Sequence, residues 1–149
     1  MIRAQLLALG LIAALASVPG SPAKASSIEV FKSATCECCN DWVEHLQGNG
    51  FAVKAQNTAN AMLDKLRQQA GIPEKLAGCH SAKAEGYVIE GHVPAADIKR
   101  LLNEKPEAIG LSVPGMPIGS PGMEQGDTRE PYDVLLINKD GSTEIFAKH

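Results

Sequence analysis

The sequence predicts one α/β domain, with a central mixed sheet, flanking helices, a C-terminal Pro/Gly-rich loop and a final β-hairpin. Its 149 residues suit a single globular unit. Strand-like and helix-like patterns alternate over the first two thirds of the chain, and an Asp-Gly turn separates two β-rich runs near its end. The 21% charged residues include no Lys/Arg block. We therefore expect no binding to nucleic acid.

The N-terminus has the three-part pattern of a secretory signal peptide. A short basic start containing Arg3 precedes an apolar run over residues 6–18, and Ala23-Lys24-Ala25 is a small-x-small cleavage site. The run is short for a membrane span, although an uncleaved anchor is the alternative. We predict a signal peptide at 1–25, export to a bacterial periplasm, a mature domain at 26–149 and no membrane association after cleavage.

The mature chain is predicted to alternate strands and helices before the loop and hairpin. Strands are expected at 28–32, 51–55, 81–84, 87–90, 132–137 and 143–146, and helices at 40–47, at 59–70 and from Pro94 onward. The first seven elements follow the β-α-β-α-β-β-α order of thioredoxin-like folds. The predicted inward side chains of the helices are Trp42, Val43 and Leu46, then Met62, Leu63 and Leu66, then Ile98, Leu101 and Leu102.

Three cysteines lie within four positions, directly after the first strand. Cys36 and Cys39 form a Cys-x-x-Cys pair at a helix start, where backbone N–H groups and the helix dipole stabilise thiolates. A thiol–disulfide exchanger needs only two thiols, and Cys38 adds a third that invites wrong pairing. Three converging sulfurs favour a thiophilic metal.

The predicted topology brings further soft ligands towards these cysteines. Cys79 and His80 occupy the turn before the third strand, where thioredoxin-like folds place a cis-proline, and His92 follows the fourth strand on the same edge. Met116 and Met123 lie in the Pro/Gly-rich loop, outside any helical stripe. Cysteine, histidine and methionine together favour copper over a hard cation. His45 is less clearly directed at this site, and His149 is expected at the surface.

Other readings of the cysteines stay open from the residues alone. In an oxidising compartment the four cysteines are able to form two disulfides. A structural zinc site uses the same ligand types, although its usual pattern has two separated cysteine pairs. An iron–sulfur cluster also takes four cysteines.

In combination, these motifs resemble one known family. It is typified by periplasmic copper-resistance proteins of the CopG type and was long catalogued as a metal-binding domain of unknown function. The resemblance spans essentially the whole mature chain. It is carried by residues 32–39, Trp42, residues 45–46, 79–80, 90–94 and 113–124.

The resemblance implies a thioredoxin-like fold and a multinuclear copper cluster on the Cys-x-Cys-Cys motif. It also implies periplasmic copper handling with Cu(I)/Cu(II) chemistry, alongside other periplasmic copper-handling proteins as partners. The residues at the family's metal-capable positions are Cys36, Cys38, Cys39, Cys79, His80, His92, Met116 and Met123. Two alternatives remain: a thiol–disulfide oxidoreductase using Cys36 and Cys39, and a non-enzymatic copper chaperone.

Overall fold

The computed structural model describes residues 25–149, so the predicted signal peptide lies almost wholly outside the described residues. This part of the chain forms a mixed α/β structure with a seven-stranded sheet and three α-helices. The elements are β1 Ser27–Lys32, α1 Glu37–Gly48, β2 Ala52–Asn57, α2 Asn60–Ala70, a 3₁₀ turn Glu74–Leu76, β3 His80–Ala84, β4 Tyr87–Glu90, α3 Ala95–Glu104, β5 Ala108–Ser112, β6 Asp133–Asn138 and β7 Thr143–Lys148.

The strand order brings several chain turns to one edge of the sheet. The order is β2-β1-β3-β4-β5-β6-β7. β1 and β2 are parallel, β3 is antiparallel to both β1 and β4, and β5 is parallel to β4. The carboxyl ends of β1, β2, β4 and β5 therefore share an edge with the amino end of β3. The turns before α1, before β3 and after β4 all lie there.

Two apolar clusters hold the helices against the sheet. The larger one joins Trp42 and Leu46 of α1 to Ile98 and Leu101 of α3, over strand residues that include Ile89. The smaller one gathers side chains around Ile72, Leu76 and Ile137, including Val88. Adjacent residues of β4, Val88 and Ile89, belong to different clusters because side chains alternate between the two faces of a strand.

Most predicted elements are present, with three differences. Strand β5, which pairs in parallel with β4 across α3, was not predicted. Helix α1 begins at Glu37 rather than Asn40. Met62 was predicted to be core but is 50% exposed, since α2 buries only Leu63 fully among its residues. In contrast, Trp42 is fully buried as predicted. No helix in residues 25–149 is long and apolar enough to cross a bilayer.

Candidate metal centre

The first turn of α1 presents three sulfur atoms. Cys36 is the N-cap residue, in extended conformation, and its side chain makes no capping hydrogen bond. Cys38 and Cys39 follow within the first helical turn. Cys39 is fully buried, whereas Cys36 and Cys38 are partly exposed. The uncapped N–H groups and the helix dipole favour negative charge at this position.

The structure joins Cys36 and Cys39 in a disulfide, with 5.3 Å between their Cα atoms. This pairing follows from a helix start that holds residues i and i+3 on one face. It gives one disulfide and two free thiols, rather than the two disulfides of the alternative reading. Cys38 and Cys79 are free. Cys38 Sγ lies 3.5 Å from Cys36 Sγ and 3.9 Å from Cys79 Sγ. All four sulfurs lie within 4.8 Å of one another.

The strand pairing explains how Cys79 reaches the α1 cysteines. β1 ends directly before their turn, and β3, which begins one residue after Cys79, pairs with β1 so that Lys32 faces His80. Cys79 therefore meets Cys38 although 41 positions separate them. The peptide bonds of the described chain are all trans, so this turn holds a cysteine without a cis bond.

Two buried histidines extend the sulfur cluster on the Cys79 side. One ligand atom each from Cys79, His80 and His92 lies within 4.8 Å of the other two. His92 Nδ1 donates to the Pro121 carbonyl oxygen at 2.8 Å. In the neutral ring, this leaves Nε2 as an acceptor facing Cys79 Sγ at 2.9 Å. Burial lowers the pKa of His92, which keeps that nitrogen unprotonated.

His80 has a buried ring nitrogen that makes no hydrogen bond to the described residues. Its side chain is fully buried, and its Nε2 atom has no hydrogen-bond partner within residues 25–149. Its ring stacks at a tilt on Trp42, with 4.3 Å between centroids. Burial, assisted by neighbouring His92, lowers the pKa of His80 to about 3. An unsatisfied buried polar atom costs about 1–3 kcal/mol. The other ring nitrogen, His80 Nδ1, lies 3.5 Å from Cys79 Sγ and is therefore the nitrogen placed beside the sulfur group.

Metal binding at Cys79 requires the loss of a proton. Burial, followed by the proximity of Cys38, raises the pKa of Cys79 to about 12. The metal-free thiol is therefore protonated at neutral pH. A metal ion held by Cys79 would displace that proton, because the thiolate is the form that coordinates.

The Pro/Gly-rich loop packs against the cluster through its backbone. A Cβ atom added at Gly122 would lie 2.7 Å from the Cys38 carbonyl oxygen, so only glycine permits this approach to α1. Pro121, one residue earlier, holds His92. Met123 is partly buried beside this contact, whereas Met116 is 53% exposed. The structure thus assigns the loop a role in orienting His92 that the sequence did not reveal.

The other two histidines have structural partners. His45 Nε2 accepts a hydrogen bond from the Ala95 backbone N–H at 3.1 Å, and so caps the start of α3. His149 lies at the surface as predicted, with Nε2 2.8 Å from an Asp97 carboxylate oxygen. Neither belongs to the histidine and cysteine groups described above.

A buried ion pair that was not predicted from the sequence lies beneath the Cys79 turn. Glu90 is fully buried and pairs with Arg67 of α2 at 2.9 Å. Glu90 accepts hydrogen bonds from the Gly78 N–H at 2.8 Å and the Ser81 hydroxyl at 2.6 Å. Burial raises the pKa of Glu90, against the opposing effects of Ser81 and Arg67. The only sequence signal was an acidic residue at the end of an apolar strand.

The fold and this site define a class: a mixed α/β protein with a compact sulfur and imidazole centre suited to a soft metal ion. Two solved structures titled copper resistance protein CopG are similar to this chain. Form 1 is 39% identical, with 85% of this chain and 98% of that chain covered and a TM-score of 0.79. Form 2 is 38% identical, with 85% and 99% covered and a TM-score of 0.78.

A family model matches part of the chain, and no curated protein matches it. A family model described as a protein of unknown function, DUF411, matches residues 76–123, which span the turns of Cys79 and His92 and most of the Pro/Gly-rich loop. On its identity to the two structures over nearly their whole length, the chain belongs to the family of CopG copper-resistance proteins, and the resemblance noted in the sequence is confirmed.

Proposed function

We propose that this chain is a periplasmic copper-binding protein of copper resistance that holds several copper ions on Cys36, Cys38, Cys39 and Cys79. The main observation behind this proposal is that the four sulfur atoms lie within 4.8 Å of one another, and that Cys79 also belongs to a second group with the buried imidazoles of His80 and His92. The kinship to copper-resistance proteins supports copper as the ion.

The donor set supports cuprous copper as cargo. Thiolates are soft ligands, and a thiolate is able to bridge two cuprous ions. Cys79 belongs both to the sulfur group and to the group with His80 and His92, so its sulfur is suited to link copper ions in the two. Imidazole binds copper in both oxidation states, which supports cycling between Cu(I) and Cu(II) at this centre.

The two loop methionines complete the proposed ligand set. Thioethers bind Cu(I) and carry no charge, so they bind it more weakly than thiolates do. Met123 follows Gly122, which packs on the first turn of α1. Met116 is exposed and is suited to first contact with incoming copper. Both assignments follow from position and chemistry.

The proposed function also includes a thioredoxin-like core and a location in the periplasm. We assign a thioredoxin-like core to β1 through α3, supported by the β2-β1-β3-β4 arrangement with β3 antiparallel to its neighbours. Residues 1–25 act as a signal peptide and direct the domain to the periplasm. Copper exchange there involves other copper-handling proteins.

Copper counting on cysteine variants tests the proposal. Protein reduced and loaded with Cu(I) without oxygen is expected to hold more than one copper per chain. The double variant Cys36→Ser/Cys39→Ser should lose at least half of it, because two of the four sulfurs are gone. Met62→Leu, which replaces an exposed methionine of α2, is the control and should bind as the parent does. Full copper binding by the double variant would overturn the site.

A second candidate function is thiol–disulfide exchange, supported by the Cys36–Cys39 disulfide at a helix start. The metal-free protein would then reduce insulin with a dithiol as electron source, and Cys39→Ser would abolish the reaction. The free thiol of Cys38, 3.5 Å from Cys36 Sγ, counts against it, because it competes for the same disulfide. A non-enzymatic copper chaperone uses the same ligands and differs only in the absence of turnover.

A further inference from the structure

The backbone at Gly78 is held from both sides by one buried ion pair. The Gly78 N–H donates to Glu90 Oε1 at 2.8 Å, and the Gly78 carbonyl oxygen accepts from Arg67 Nη2 at 2.9 Å. That carbonyl belongs to the peptide bond that leads into Cys79. The two charged side chains thus fix the peptide groups on both sides of Gly78, the residue that precedes Cys79.

The same pair is tied to the other turns of the site. Ser81, one residue after His80, donates to Glu90 Oε2 at 2.6 Å. Glu90 itself precedes the turn that carries His92. Gly78 packs so closely on Gly91 that an added Cβ would lie 2.5 Å from the Gly91 Cα. One carboxylate therefore connects the Cys79–His80 turn to the His92 turn.

Stability alone does not explain this arrangement. Glu90 is fully buried and Arg67 is 12% exposed, so both charges are largely removed from water. The desolvation of a buried ion pair roughly cancels its attraction, and apolar replacements are often neutral for stability. The hydrogen bonds to the Gly78 backbone supply direction rather than net stability.

We infer that Glu90, oriented by Arg67, is a positioning residue of the metal centre. It fixes the Gly78 backbone and thereby the position of the Cys79 sulfur. A buried carboxylate thereby holds the turn in which thioredoxin-like folds place a cis-proline. The inference rests on the proposed copper site for its purpose, but the positioning itself exists in the metal-free protein.

Cys79 reactivity in the reduced, metal-free protein tests the positioning directly. Site-resolved alkylation by iodoacetamide, followed by peptide mass spectrometry, gives the rate at Cys79. In the double variant Glu90→Met/Arg67→Met both charges are removed together, so no unpaired charge is buried. Loss of its hydrogen bonds should raise the Cys79 rate about tenfold. The ultraviolet copper–thiolate absorption of the loaded protein should fall in the same variant.

A conservative variant and a remote one provide the matched controls. Glu90→Gln keeps an oxygen that accepts from the Gly78 N–H, and should stay within about threefold of the parent rate. Tyr87→Phe removes a hydrogen bond of the Tyr87 hydroxyl to the Pro106 carbonyl at the far edge of the sheet, and should leave Cys79 unchanged. A folded double variant with the parent's Cys79 rate and copper spectrum would overturn the inference.

Two further outcomes separate the possible failures. If circular dichroism shows the double variant unfolded, Arg67→Lys decides, since it keeps a cation near Glu90 but loses the forked contact to the Gly78 carbonyl. It should raise the Cys79 rate at least about twofold, and an unchanged rate would overturn the positioning role. If the parent binds no copper while the alkylation rates behave as expected, the proposed function fails and the positioning role stands.

Discussion

The two buried histidines of the site should respond in opposite ways to the same substitution. His80 and His92 are both fully buried, and their rings lie edge to face, 4.9 Å apart. His92 has a hydrogen-bond partner for each ring nitrogen. In His80, Nδ1 lies 3.5 Å from Cys79 Sγ, whereas Nε2 has no partner in the described part of the chain. We predict that His80→Leu stabilises the metal-free protein and that His92→Leu destabilises it.

The magnitudes follow from the contacts of each ring. His80→Leu relieves an unsatisfied buried nitrogen, a gain of about 1–3 kcal/mol. It also loses the stack on Trp42, which is worth about 0.5–1.5 kcal/mol, and the 3.5 Å contact of His80 Nδ1 with Cys79 Sγ. The net gain is up to about 1 kcal/mol, or up to about 4 °C in melting temperature. His92→Leu leaves the Pro121 carbonyl without its partner and removes the 2.9 Å contact of His92 with Cys79 Sγ. It should cost about 1–3 kcal/mol.

Urea unfolding of both variants and the parent, reduced and free of metal at pH 8, measures these differences. At this pH the imidazoles are neutral in the folded and the unfolded states. Each variant should also bind less copper than the parent. If His80→Leu is destabilised as much as His92→Leu and still binds the parent's copper, His80 is a packing residue and the reasoning fails.

Burial lowers the pKa of His80 to about 3 in the folded state, so only the unfolded state takes up its proton below about 6.5. As the pH is lowered from about 6.5 to about 3, the unfolding free energy of the metal-free protein should therefore decrease by up to about 1.4 kcal/mol per pH unit. An unchanged slope in His80→Leu would refute the lowered pKa of His80. Protein with the Cys36–Cys39 disulfide intact should take up at most half the Cu(I) of reduced protein by metal analysis, and equal uptake would contradict thiolate binding. The Cβ of Gly78→Ala has no room, so this substitution should lower the free energy of unfolding by about 1–3 kcal/mol and should lower copper uptake. Gly48→Ala, with open space around it, is the control and should change neither quantity. Equal effects of the two substitutions would exclude the close contact between Gly78 and Gly91.

Local patterns predicted most of the elements because those elements are specified locally. The β3–β4 hairpin turns at Glu85 and Gly86, which both have positive φ, as a tight hairpin requires. Strand β5 was missed for the opposite reason. Its five residues include Gly110, and its partner β4 is reached only across a helix, so no local turn signal marks it.

The meeting of the cysteines was predictable from topology, but their surroundings were not. Strand order alone brings the Cys79 turn to the start of α1. The buried pair of Glu90 and Arg67 joins residues 23 positions apart on different elements, and a strand-end acid followed by Gly91 has many ordinary explanations. Met62 followed the helical pattern of its neighbours but faces solvent, because α2 covers the sheet with a narrow stripe around Leu63.

X-ray absorption on protein reduced and loaded with copper under anaerobic conditions tests the central claim most directly. Four clustered sulfurs with two nearby imidazoles predict more than one copper per chain, a first shell dominated by sulfur with a nitrogen contribution, and scattering from a neighbouring copper. A single copper bound mainly by nitrogen and oxygen, or a copper count and sulfur coordination that stay unchanged after the loss of Cys79, would contradict the account.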